Sequence, residues 1–276
     1  MKLDSRVLAL TAVFSLNCNA YSQDPVAPTS AITEEQELKP LVFYQYATAT
    51  GLELEIAYQD NLKTQAPGKH LIFVGEYGKP GDGLYIGDVG GAVKTLQRAL
   101  QGTVEVKKYP ADFTTDQDIL NILATSGQYN SAHFFGHGSE DSYWITLLPS
   151  EDSLTRQDFD YMPQQQVEQL RENLASEGYW KFYGCHMAAD SGMTGENITE
   201  AITENTGIPA TAANSWVFIH GNRKKGEPVY MYPVSRAEYQ RYFTKDRKDY
   251  PIEIPDPLYT GESAWVTYTP TIKTQE

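Results

Sequence analysis

Ser131–Gly138 reads SAHFFGHG, and Tyr179–Cys185 reads YWKFYGC. Each is a short apolar run of strand length that stops on one reactive side chain, His137 in the first and Cys185 in the second. Runs of this kind, bounded by loop signals, predict buried strands of a parallel sheet. Between them Val167, Leu170 and Leu174 recur at helical spacing, marking a helix that ends near Gly178. A helix-containing connection is what two parallel strands require.

The alternation continues on both sides. LIFVG (71–75) predicts a strand, and Val93, Leu96 and Leu100 predict the helix after it. TVEVKKY (103–109) is a second strand. Thr115, with Asp118 three residues on, caps a helix whose apolar face is Ile119, Ile122 and Leu123, with Gly127 as its stop. YWITLL (143–148) predicts a small extra strand. After Cys185, Ile198, Ala201 and Ile202 mark a helix that Gly207 stops, and a strand follows within Ile208–Val217. Strand and helix in alternation mean right-handed crossovers, hence an α/β fold with a mainly parallel central sheet and helices on both faces. No internal repeat is present.

The flanks read differently. Lys2 and Arg6 precede an apolar run, Val7–Leu16, and Cys18-Asn19-Ala20 offers small residues before a cut after Ala20. Residues 1–20 therefore read as a secretory signal peptide, which predicts a secreted or periplasmic protein. Residues 21–40 are polar and proline-containing, a flexible leader. In 41–69, Leu52, Leu54 and Ile56 alternate with Glu53 and Glu55 after Thr50-Gly51, which predicts an N-terminal hairpin extension. The alternating unit occupies 70–220. A C-terminal extension, 221–276, follows, with VYMYPV (229–234) as a possible edge strand.

Composition narrows the classes of function. The chain has 276 residues and a formal net charge of -14, which argues against nucleic acid or an anionic membrane surface as partner. At 41% hydrophobic it can build a core. No segment of the mature chain approaches the ~20 apolar residues of a membrane span, so no stable membrane insertion is expected. There are two cysteines, Cys18 and Cys185, and removal of the signal leaves Cys185 alone. A lone thiol in an oxidising compartment is either a buried, inert side chain or a nucleophile.

The placing of His137 favours chemistry. Functional groups of open α/β sheets collect at the carboxyl ends of the strands, where both residues fall. On neighbouring strands, ~4.8 Å apart, their side chains could meet. An imidazole there can take the thiol proton, or hold the thiolate as an ion pair, and can then protonate a leaving amine. Gly138 would let a backbone N–H approach a substrate carbonyl oxygen, forming an oxyanion hole with the N–H of Cys185. Gly184 would leave room beside the nucleophile.

This pair of motifs resembles the caspase–gingipain–legumain group of cysteine peptidases, in which one apolar strand ends in His-Gly and a later one in the catalytic Cys. The two are about 50 residues apart, as in caspases. GDVGGAVK (87–94) is similar to a metacaspase segment. YGCHMAADSG (183–192) and TGIPATAAN (206–214) are closer still to a caspase-like bacterial domain of unknown function found in large secreted adhesin-type proteins. Gly184 stands where Ala is commoner in the group. His186 follows the Cys as in metacaspases, but Met187 replaces a small residue. Over residues 70–220 the resemblance implies a caspase-like three-layer sandwich. It also implies a cysteine endopeptidase with a His137–Cys185 dyad, acting on a protein or peptide. The alternative is a catalytically inactive caspase-like module that binds a protein partner or serves an adhesin.

The other candidates divide as follows. His133 and His137 lie ~13 Å apart along a strand, too far for one zinc ion, so His133 reads as structural. His220 follows Cys185 by too few residues for a papain-like order and reads as a loop residue. His186 should point to the face opposite Cys185. His70, ahead of the first strand, reads as exposed. GKPGDGLYIGDVGG (78–91) fits neither phosphate-binding fingerprint and reads as a mobile loop beside the site. Its Asp82 and Asp88, with Asp190, could line a pocket for a basic side chain, favouring Lys or Arg before the cut bond, or could be solvated. No metal or other cofactor is expected, and the oligomeric state stays open.

Overall fold

The computed structural model describes residues 40–45, 51–78, 87–189, 196–234 and 264–271. The expected signal peptide and nearly all of the expected leader lie outside these residues, as do Asp82, Asp190 and most of the glycine-rich loop.

The elements run β1 (Leu41–Gln45), α1 (Gly51–Leu62), β2 (Gly68–Val74), α2 (Val89–Ala99), β3 (Gly102–Lys108), α3 (Asp116–Thr125) and β4 (Tyr129–Phe135). Three short strands follow, β5 (His137–Ser139), β6 (Ser142–Trp144) and β7 (Leu154–Thr155), then α4 (Arg156–Asp160) and α5 (Gln164–Asn173). The remainder is β8 (Leu174–Tyr183), α6 (Ile198–Thr206), β9 (Ala210–Ala213), β10 (Trp216–His220), a 3₁₀ turn at Arg223–Lys225, β11 (Tyr230–Val234) and β12 (Trp265–Thr269).

Seven strands form the main sheet in the order β1-β12-β9-β8-β4-β2-β3. The five from β3 to β9 are parallel, and β12 and β1 continue the sheet antiparallel at one edge. The architecture is α/β, with a mostly parallel sheet flanked by helices and one apolar cluster on each face. Local signals explain many boundaries. Thr115 and Asp118 form the reciprocal cap of α3. Gly207, at φ 67°, closes α6 in a left-handed turn that a residue without Cβ adopts freely.

Four expectations change. The hairpin extension is absent: only its first strand forms, and the partner of β1 is β12, from the C-terminal extension. Residues 51–62 are helical. The leucines that suggested alternation are only partly buried, whereas Glu55, Gln59 and Leu62 form the inner face of α1. Their spacing of four and three is helical, and Glu55 is drawn inward by a partner on the sheet described below. The 229–234 run is β11, which pairs with β10 in a separate two-stranded sheet instead of edging the main one. His70 lies inside β2 and is buried, its ring nitrogens 2.7 Å from Ser131 Oγ and 3.0 Å from the carbonyl oxygen of Gln101. Finally, α5 stops at Asn173 and β8 begins at once, well before Gly178.

Candidate active site

β4 and β8 are neighbours in parallel, with Phe135 beside Tyr183. His137 and Cys185 each follow these paired ends by two residues, so both sit at the carboxyl rim of adjacent strands. The two loops touch: a Cβ on Gly184 would lie 3.1 Å from the carbonyl oxygen of His137. His137 is buried and opens β5, where it is paired across strands with Trp144, their ring centroids 6.0 Å apart. Trp144 is held by its indole N–H, which donates to Ser142 Oγ at 2.8 Å.

Cys185 keeps part of its surface exposed. It lies past the end of β8, in a bend, so strand alternation does not govern its neighbour. His186 has φ 60°, a left-handed conformation uncommon for residues other than glycine. Its backbone N–H donates to the carbonyl of Ser215 at 2.9 Å, and its ring packs edge-on against Trp216. The backbone N–H of Val217 donates to Cys185 Sγ at 3.4 Å. Burial pushes the Cys185 thiol above its ordinary range, outweighing the opposing Val217 N–H. The resting group is therefore a thiol, not a preformed thiolate. Burial likewise holds His186 down to about 4.

The glycines have a second use. A Cβ on Gly138 would meet Met187 Cγ at 2.7 Å, and one on Gly184 would meet Met187 Sδ at 2.7 Å. Met187 is fully buried and fills the space that both glycines leave. Sequence reasoning left that space open for substrate. Its one pointer was Met187 itself, as a departure from the metacaspase pattern. Trp144 and Val217 carried no signal, because only the small sheet β5-β6-β7 and the approach of β10 bring them to the rim.

Asp88 caps α2, accepting the Gly91 N–H at 2.8 Å, and lies 3.3 Å from Arg223 Nε. Its carboxylate is thus committed to the helix and a cation, and Asp82 and Asp190 lie outside the described residues. His133 is buried on the face opposite the aromatic stack of the core, 2.9 Å from Ser131 Oγ. Burial, then Lys181, then His70 hold it well below the ordinary histidine range, so it is neutral. His220 ends β10 and is exposed, beside Tyr232. Among the described residues no three His, Cys, Asp or Glu side chains gather as a metal site. Among them, too, no helix is long and apolar enough to cross a membrane.

The molecule is thus an α/β protein with a histidine and a thiol at one rim of a mostly parallel sheet. Residues 89–227, about half of the chain, match the family described as a domain of unknown function, DUF4347, and the chain belongs to that family. No curated protein matches the chain.

Proposed function

We propose that this protein is a caspase-like cysteine endopeptidase in which His137 and Cys185 act together. The observation that carries the reading is the contact of the two motif loops, His137 against Gly184, at the ends of neighbouring strands. The raised thiol makes His137 a general base in the proposed reaction and disfavours a resting ion pair. The imidazole takes the sulfur's proton as sulfur bonds to the scissile carbonyl carbon. It returns that proton to the amine as the C–N bond breaks. Water then cleaves the thioester, releasing the acid and restoring the thiol. The backbone N–H groups of Gly138 and Cys185 are the proposed oxyanion donors. Asp88 is already committed to a helix cap and to Arg223, so the reading carries no preference for Lys or Arg.

The test is cleavage of a peptide library by the full chain, compared with Cys185→Ala and His137→Ala. Cleavage lost in Cys185→Ala and reduced by at least about 100-fold in His137→Ala is expected. A wild-type chain that cuts nothing, or activity that survives Cys185→Ala, overturns the proposal. A second reading, a silent module that binds a protein partner, is favoured by Met187, which occupies the space beside both glycines. An inactive wild type that captures a protein ligand would support it.

A further inference from the structure

Two strands along the rim from β8, beyond β4, the carboxyl ends of β2 and β3 open into a cleft of about 450 Å³. Its size suits a ligand site. Three cations from three elements line it: Lys94 of α2, Lys108 at the end of β3, and Arg223 of the 3₁₀ turn. Tyr77, Tyr109 and Val106 supply apolar surface between them. In a chain of net charge -14, with 36 acidic and 22 basic side chains, the described lining of this one concavity carries three cations and no carboxylate. A low-dielectric cleft lined by one sign of charge concentrates the opposite one.

The nearby carboxylates leave two of the three cations without a direct ion pair. Asp88 offsets Arg223, but Lys94 and Lys108 make no ion pair among the described residues. The Asp112 carboxylate is engaged by the backbone N–H of Lys108 at 2.8 Å. Glu76 faces the Leu147 N–H instead.

We infer that this cleft binds acidic segments of a polypeptide, with Lys94 and Lys108 as the principal contacts. The three cations stand on separate elements around the cleft, with two tyrosines between them, which suits spaced carboxylates on a chain better than one compact anion. Lysine ammonium groups act here as adaptable point charges. The site lies away from Cys185, and its occupancy does not require that the thiol react.

The experiment uses the full chain carrying Cys185→Ala, so that a failed peptidase reading leaves it intact. Fluorescence anisotropy would follow a labelled octapeptide alternating Asp and Gly, and its counterpart with Asn for Asp. Binding of the acidic peptide at least about tenfold tighter is expected, weakening in high salt as screening shortens the reach of the charges. Lys94→Glu with Lys108→Glu should cost at least about tenfold, and Lys225→Glu, exposed on the 3₁₀ turn outside the cleft, less than about twofold. Both substituted lysines are exposed, and an unchanged circular dichroism spectrum checks the fold. Equal binding of the two peptides overturns the inference. So does binding that ignores the double substitution, or binding of inorganic phosphate with none of the acidic peptide.

Discussion

The two faces of the main sheet are built from alternate residues of the same strands, yet they are unlike. On one face Phe73, Phe134 and Phe182 stack across β2, β4 and β8, at 5.1 and 4.3 Å between ring centroids. On the other, these strands carry His70, His133 and Lys181, all buried. Lys181 lies 2.8 Å from Glu55 of α1, and its ammonium sits 3.5 Å from the centre of the Tyr58 ring and 4.2 Å from that of Trp265. Gln59 and Tyr183 also donate to Glu55. The apolar face tolerates any helix with an oily stripe. The polar face needs one helix in one register, because a buried charge without its partner is costly. Both faces hold the strands whose ends present His137 and Cys185, but only one of them names its partner.

The largest expected effects test that contrast. Lys181→Ala should cost about 3–5 kcal/mol in urea unfolding, because Glu55 is left charged and buried. Phe134→Ala should cost a similar amount, about 3–5 kcal/mol, by opening a cavity. The difference lies in rescue. Glu55→Leu with Lys181→Met should return most of the stability, since a paired charge can be exchanged for apolar volume. If the double variant is as unstable as Lys181→Ala, the pairing is not what distinguishes this face.

Acid should act next, and on the histidines. Burial lowers His70, His133 and His186 below the ordinary value of 6.5, His186 to about 4. Below pH ~6.5 the unfolded chain then binds protons that the folded chain refuses, so stability present at neutral pH falls as pH drops toward 4. His186 alone should account for a loss on the order of 3 kcal/mol across that window. His186→Asn, which tolerates the left-handed backbone, should flatten the dependence in unfolding midpoints measured from pH 7 to pH 5. An unchanged slope would place the acid sensitivity elsewhere.

The smallest effect belongs to local signals. Thr115→Ala removes the side-chain acceptor for the Asp118 N–H and should cost about 1 kcal/mol. A loss much larger than that would show that α3 depends on its cap more than on its packing against the apolar face.

Legibility in the sequence follows the same division. The cap at Thr115, the stop at Gly207 and the two strands were readable, although β4 and β8 stop two residues short of His137 and Cys185, because each depends on residues close in the chain. The polar face was not. His133 and Lys181, lodged in otherwise apolar runs, were its visible signs, and the residue that satisfies Lys181 lies in a segment whose alternation suggests a strand. At the candidate site, His-Gly and Gly-Cys were readable as lying at the carboxyl rim, each two residues past the end of its strand. The Met187 packing, the Trp144 contact and the Val217 hydrogen bond were not, since each joins residues from separate elements.

By itself the sequence determined an alternating α/β chain with two reactive groups at strand ends, because hydrophobic period and turn chemistry are local properties. Only the tertiary structure decided that β4 and β8 are neighbours, that a helix covers the charged face, and that β12 from the far end of the chain pairs with β1. Those choices depend on which distant partner satisfies a buried group, and no short stretch of sequence carries that information.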